Sequence, residues 1–206
     1  GRGKAVLVYP AERMNNVTAN TLLKTLEEPP GDVKFVLASE ASHQLLPTIR
    51  SRCLGHAMAW PDEAQSLAWL EQQGVKADDA PALLRAAGGR PEDALQFSQT
   101  GRDAKVWSLL PKAAARGDAA AIAGWTPGQA VDALQKVCHD LLAVNAGAQP
   151  RFFTAAELPA ARSIQALSEW SRELARTART VEHPFNTGLM LEALVSQARI
   201  ALNSRP

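Results

Sequence analysis

The rhythm of apolar positions changes about sixty residues into the chain. Ala5-Val6-Leu7-Val8-Tyr9 and Val33-Lys34-Phe35-Val36-Leu37-Ala38 are short, partly β-branched runs. Such runs fit strands of a parallel sheet covered on both faces. Between them the pattern predicts a helix over Asn16 to Glu28. Val17, Leu22, Leu23 and Leu26 are assigned to one face, Asn15 or Asn16 to the N-cap, and Pro29-Pro30-Gly31 to the stop. Strand, helix, strand at this spacing is a βαβ unit with a right-handed crossover. A third short apolar run, Leu54 to Trp60, follows a loop rich in turn residues.

From Pro61 onward the pattern is helical. Asp62 can cap a helix over Glu63 to Gln73 that Gly74 stops, and two further short helices fit Asp79 to Ala87 and Pro91 to Gln99, parted by Gly88-Gly89. Thr100-Gly101 then marks a boundary. Beyond it, three stripes repeat at helical spacing. They are Val131, Leu134, Cys138, Leu141, Leu142 and Asn145; Ile164, Leu167, Ser171, Leu174, Ala178 and Val181; and Leu191, Leu194, Val195, Ala198 and Leu202. Such stripes predict a helical bundle core, with assembly as their other use. The expected fold is therefore mostly α with a small α/β portion. It divides into residues 1–60, 61–100 and 101–206.

Composition agrees with this pattern. Alanine, the best helix former, supplies 38 of 206 residues, and aromatics only 5%. The 46% hydrophobic and 21% charged fractions are those of a globular chain rather than a disordered or fibrous one. No apolar run approaches the ~20 residues of a bilayer-spanning helix, so no membrane role is expected. Net charge is +1, with 22 basic against 21 acidic residues. A free-standing nucleic-acid-binding domain, which would display a basic, aromatic-interleaved surface, is thereby disfavoured. Two cysteines, Cys53 and Cys138, make no disulfide framework and fit a reducing, cytoplasmic compartment. Gly1-Arg2-Gly3-Lys4 leads straight into the first run without signal peptide or initiator methionine, as expected of a fragment.

Common catalytic signatures are missing: there is no Gly-x-x-x-x-Gly-Lys-Ser/Thr loop, no His-Glu-x-x-His and no Gly-x-Ser-x-Gly. His43, His56, His139 and His183 are scattered singly, as surface or capping residues. The neighbouring carboxylates Glu27-Glu28 and Asp78-Asp79 point apart on a helix, so neither makes an acid/base pair. Cys53 follows Arg52, which could lower its pKa, but no partner base accompanies it.

One segment carries a specific signal. Ala19-Asn20-Thr21-Leu22-Leu23-Lys24-Thr25-Leu26-Glu27-Glu28-Pro29-Pro30 is followed, after an apolar strand, by Leu45-Leu46-Pro47-Thr48-Ile49-Arg50-Ser51-Arg52-Cys53. The two motifs, in this order, resemble the clamp-loader family of AAA+ proteins. The resemblance is strongest over residues 19–53. It implies a partial AAA+ base domain with a parallel sheet (1–60), a three-helix lid (61–100) and a helical collar for oligomerisation (101–206). Glu182-His183-Pro184-Phe185-Asn186-Thr187-Gly188-Leu189-Met190-Leu191-Glu192 is similar to the last helix of such subunits.

Departures from the family pattern narrow the class. An ATP-hydrolysing member would end the first strand in Asp-Glu, to hold Mg²⁺ and position water. Those positions fall on Tyr9-Pro10, with Glu12 past the strand end. Ser39-Glu40 stand where a polar sensor residue would close the next strand. In Gly89-Arg90-Pro91-Glu92-Asp93-Ala94-Leu95, Glu92 replaces a phosphate-sensing arginine, and a carboxylate there would repel a triphosphate.

These losses resemble the non-hydrolysing, delta-prime class of bacterial DNA polymerase III; the ATP-hydrolysing gamma/tau class is the alternative. The resemblance implies no catalytic site in the chain itself, with Arg52 acting as an arginine finger on ATP bound by a neighbouring subunit. Ser51 would orient the backbone, Cys53 would complete the motif, and Arg50 is expected to pair within its own domain. Without the motif around it, Arg52 would be read as pairing with a carboxylate at a domain edge. Implied partners are the gamma/tau and delta subunits and, through the complex, the sliding clamp and primer-template DNA. No cofactor or metal is expected, since the family's phosphate-loop remnant and four-cysteine zinc module would lie upstream of Gly1.

Overall fold

A computed structural model describes residues 3–100, 102–160, 163–181 and 186–204. The stretch Glu182 to Phe185, including His183, lies outside the described residues. The chain forms two compact units, residues 1–59 and 60–206.

In the first unit, β1 (Lys4–Val8) and β2 (Val33–Leu37) pair in parallel, with Lys4 opposite Val33 and Val8 opposite Leu37. Helix α1 (Asn16–Glu27) is the crossover between them. Asn15 caps it, its Oδ1 accepting from the Thr18 N–H at 2.8 Å, and satisfies one of the donors every helix start leaves open. Strand and helix ends fall within one residue of those the pattern predicts.

Two expectations fail here. Val17 does not share the inward face, being 76% exposed, whereas Ala19 is buried. Residues two apart on a helix stand ~200° around its axis, so both cannot face inward. Leu54 to Trp60 forms no strand and is exposed throughout. Its backbone pairs with no strand among the described residues. The sheet is also not covered on both faces, since Leu7 and Val36, neighbours in register, are exposed while Phe35 and Leu37 are half-buried.

The second unit is helical. Helix α2 (Pro47–Arg50) belongs to the first unit. The second begins with α3 (Glu63–Gln72), capped by Asp62, whose carboxylate accepts from the Gln65 N–H at 2.7 Å. Then follow α4 (Ala80–Ala86) and α5 (Pro91–Gln99). Helix α6 (Ala104–Arg116) is new relative to the sequence reading. It starts at an Asp103 cap and ends on Gly117 at φ +79°, a left-handed conformation that glycine adopts without a Cβ penalty. Pro111 inside it hides the helical signal. Helices α7 (Pro127–Asn145), α8 (Ile164–Thr180) and α9 (Thr187–Asn203) complete the unit. A reciprocal capping box between Thr126 and Gln129 opens α7.

The predicted stripes are core at their centres. Val131, Leu134, Cys138, Leu141, Leu167, Leu174, Leu191, Leu194, Val195, Ala198 and Leu202 are all buried. The α8 stripe frays at its ends, where Ile164 and Ala178 are exposed; Trp170 replaces them inside. One core runs without a break from Leu83, Leu84 and Phe97 to Trp107 and on into α7–α9. Phe97 meets Trp107 edge-on at 5.7 Å, and Phe153 stacks on Trp107 at 4.8 Å.

A buried carboxylate ties the segment after α7 to this core. Asp140 is fully buried and accepts from the backbone N–H groups of Arg151 (2.9 Å), Phe152 (2.7 Å) and Phe153 (2.8 Å). His139 Nδ1 lies 2.9 Å from the same carboxylate. Trp107 Nε1 donates to the Phe152 carbonyl at 3.2 Å, and Arg151 Nη2 donates to the Gly88 carbonyl at 3.2 Å.

Candidate functional site

The Ser51-Arg52-Cys53 tripeptide sits in the turn that ends α2. Pro47 occupies the first turn of that helix, where its missing N–H costs nothing. Ile49, 1% exposed, anchors the helix in the core of the first unit. The turn is closed by its own backbone: Ser51 N–H donates to Pro47 (2.9 Å), Arg52 N–H to Ile49 (3.0 Å) and Cys53 N–H to Arg50 (3.4 Å). Ser51 Oγ donates to the Thr48 carbonyl at 3.0 Å, so Ser51 stabilises the turn that carries Arg52.

The Arg52 side chain is 38% exposed and has a defined set of partners. Nε donates to Glu27 Oε1 at 2.6 Å, and Nη2 forms an ion pair with the same oxygen. Nη1 donates to the Thr48 carbonyl at 3.0 Å and reaches Ser51 Oγ at 3.5 Å. Arg50 was expected to pair within its own domain and does not. Its side chain is exposed at the end of α2, without a hydrogen bond or ion pair among the described residues, and Arg52 takes the nearby carboxylate instead. Cys53 is half-buried and free.

The strand ends form a second polar cluster. Backbone bonds from Ala38 to Val8 (3.0 Å) and from Ala11 to Ala38 (2.9 Å) carry the pairing past both strands. They bring Tyr9 beside Glu40, and the Tyr9 hydroxyl donates to Glu40 Oε1 at 3.0 Å. That hydrogen bond and the Glu40 charge raise the Tyr9 pKa above its ordinary value. Backbone N–H donation to Glu12 and the Ser39 hydroxyl hold the Glu12 carboxyl below its usual range.

In the second unit, Glu92 is exposed in the first turn of α5, beside an Arg90–Asp93 ion pair. His43 and His56 are exposed as read from sequence, while His139 is engaged by Asp140. Cys138 donates to the Leu167 carbonyl at 3.3 Å, and burial pushes its thiol up to about 11. Among the described residues no group of three or more His, Cys, Asp or Glu side chains is placed to hold a metal ion. No described helix is long and apolar enough to cross a membrane.

Glu27 is the site residue that sequence reasoning passed over. The signal was present, since Glu27 belongs to the Leu-Glu-Glu-Pro-Pro motif, but nothing in the sequence pairs it with a residue twenty-five positions away.

Residues 1–59 match the family model described as "DNA polymerase III, delta subunit". A DNA polymerase III subunit delta' from Pseudomonas aeruginosa is 46% identical over 93 residues, covering 44% of this chain and 28% of that protein. The Escherichia coli subunit delta' is 42% identical over 100 residues, covering 48% of this chain and 30% of that protein. A DNA polymerase III subunit gamma/tau from Mycobacterium bovis is 37% identical over 100 residues, 46% of this chain and 17% of that protein. The match to the two delta' relatives thus spans less than a third of their length. A solved structure, the gamma subunit-related protein of Thermotoga maritima, aligns over 98% of this chain and 74% of its own with a TM-score of 0.49 and 18% identity. The sequence resemblance to bacterial delta' subunits stands on the family match and the delta' relatives.

Proposed function

We propose that this chain is part of a non-hydrolysing, delta-prime-type clamp-loader subunit of a bacterial DNA polymerase III. In this reading residues 1–60 are the end of an AAA+ base domain, 61–100 a lid and 101–206 the collar that holds the subunit in its ring. Its partners are gamma/tau and delta subunits and, through the complex, the sliding clamp and primer-template DNA. ATP sits at the neighbouring subunit, and the assembly works in the cytoplasm.

The observation that carries the reading is Arg52 itself: a half-exposed guanidinium on a rigid turn inside the Ser-Arg-Cys motif. A transferring phosphoryl group spreads negative charge over its oxygens, and a planar, permanently charged fork matches that charge. Arg52 would supply the fork in trans, with Ser51 and Cys53 shaping the turn beneath it. The absence of hydrolysis in this subunit is supported by the strand end. Tyr9 stands at the position where an ATPase places a metal-binding carboxylate, and its hydroxyl is occupied by Glu40.

The gamma/tau alternative rests on the 37% identity to a gamma/tau subunit, and one experiment separates the two. The complete subunit is reconstituted with its partners so that only the adjacent ATPase site is competent. Arg52→Ala, and nearly as badly Arg52→Lys, should leave assembly intact while hydrolysis at that site falls by about 10³–10⁵-fold, because lysine lacks the planar fork. Wild-type turnover in the Arg52→Ala ring would remove Arg52 from the mechanism. ATP hydrolysis by the isolated complete subunit, abolished by a substitution in its own chain, would establish the gamma/tau reading instead.

A further inference from the structure

Two sequence motifs, one ending α1 and one ending α2, meet at a single ion pair between Glu27 and Arg52. We propose that Glu27 is a positioning residue for Arg52, fixing the guanidinium so that one of its edges stays open for a phosphoryl group on a neighbouring subunit. The inference rests on the reading of Arg52 as an arginine finger and adds to it the residue that aims the finger.

The geometry supplies the argument. An arginine beyond a four-residue helix, half in solvent, would sample many rotamers. Here two anchors from different segments define the guanidinium plane. Nε and Nη2 converge on Glu27 Oε1, and Nη1 is held by the Thr48 carbonyl. Nη2 has no other polar contact, so its second N–H has no acceptor among the described residues. That unfilled donor lies on a side chain 38% open to solvent. The ordinary partner for Glu27 would be Lys24, one turn earlier on the same helix. Glu27 instead reaches across to Arg52, and no Lys24 pair forms among the described residues.

Magnitude distinguishes an aiming device from a lock. With the two side chains 38% and 49% exposed, the pair belongs with surface salt bridges, whose net worth is small. Holding a finger shut, from 99:1 closed to 1:99, takes about 5.5 kcal/mol of differential binding. A surface pair cannot supply that. It can bias one side chain toward one orientation.

The test uses the same reconstituted ring, with complete subunits and only the adjacent ATPase site competent. Glu27→Ala should lower kcat at that site about tenfold with KM for ATP within about twofold, a part of the ~10² that a 1 Å misplacement costs. Glu27→Gln should retain most of the rate, because its amide oxygen still accepts from Nε. In an Arg52→Ala background, Glu27→Ala should add nothing. Independently of any partner, the Arg52 Nε–H resonance of the isolated complete subunit should exchange slowly with water in the wild type and in Glu27→Gln, and rapidly in Glu27→Ala. If Arg52→Ala collapses the rate while Glu27→Ala leaves it unchanged or raises it, the positioning role is overturned and the finger survives. If Glu27→Ala slows the Arg52→Ala ring further, Glu27 acts by another route and the proposal is equally wrong. Full activity of Arg52→Ala sinks both.

Discussion

Removing the Asp140 carboxylate should unfold the helical unit more readily than any other single polar substitution described above. Asp140 is 0% exposed, and Oδ2 accepts from Phe152 and Phe153 while Oδ1 accepts from Arg151 and meets His139. Hydrogen bonds to a charged group are worth roughly 1.5–3 kcal/mol each, so three of them set an upper bound of about 5–9 kcal/mol. Two of the three donors are only part-buried, and water reaches them once the carboxylate is gone. Phe153 N–H is buried beneath a ring stacked on Trp107 and stays unpaired. Asp140→Ala should therefore cost about 3–5 kcal/mol, in the range for breaking a buried charged network. For a unit of this size that is a drop in Tm of roughly 10 °C or more. Asp140→Asn should fall between, since it keeps one acceptor but turns an NH₂ group toward backbone donors. His139→Ala should cost no more than about 1 kcal/mol, because that ring is 54% exposed. Urea unfolding followed by tryptophan fluorescence reads the difference directly. An Asp140→Ala unfolding free energy within about 0.5 kcal/mol of wild type at unchanged m would refute the argument.

Further outcomes follow from single contacts. Tyr9 is the only tyrosine, so ultraviolet titration of phenolate reports it alone; its midpoint should lie above 10 and fall in Glu40→Gln, and an unchanged midpoint would mean the Tyr9–Glu40 bond does not form in solution. At pH 8 the Cys138 thiol, with its pKa near 11, is neutral as well as buried. A thiol reagent should modify Cys53 first and Cys138 only on unfolding, and equal rates would count against the packed bundle. Gly117→Ala places a Cβ at φ +79° and 2.7 Å from the flexible Arg199 Cδ, so it should cost about 1–2 kcal/mol, mostly backbone strain; no change in Tm would show that the α6 C-cap relaxes.

The sequence disclosed whatever is local. Both strands, the Asn15 and Asp62 caps, the proline stop of α1 and the centres of three long stripes follow from periodicity and capping chemistry. The misses have separate causes. Val17 looked inward on composition, but helical geometry puts it opposite Ala19. Pro111 disguised α6, although the Asp103 cap and the Gly117 terminus bracketed it. Leu54 to Trp60 has strand composition, yet a strand needs a neighbour, and composition does not provide one. At the candidate site the motif was legible and its wiring was not. Arg52 could be singled out, but its union with Glu27, and the isolation of Arg50, depend on how α1 and α2 are brought together in the fold. Asp140 gave no signal at all, because a buried acceptor for three backbone donors has no sequence signature.

The uninterrupted core across residue 101 has a mechanical meaning. Were the short helices α3–α5 and the long helices α6–α9 to swing about a hinge at that point, the Phe97–Trp107 contact would have to part and Arg151 would have to release Gly88. Apolar surface would meet water with every swing. The helical unit is thus stiff along its length. A push delivered to α4 arrives at α9 as displacement, with little absorbed by bending on the way.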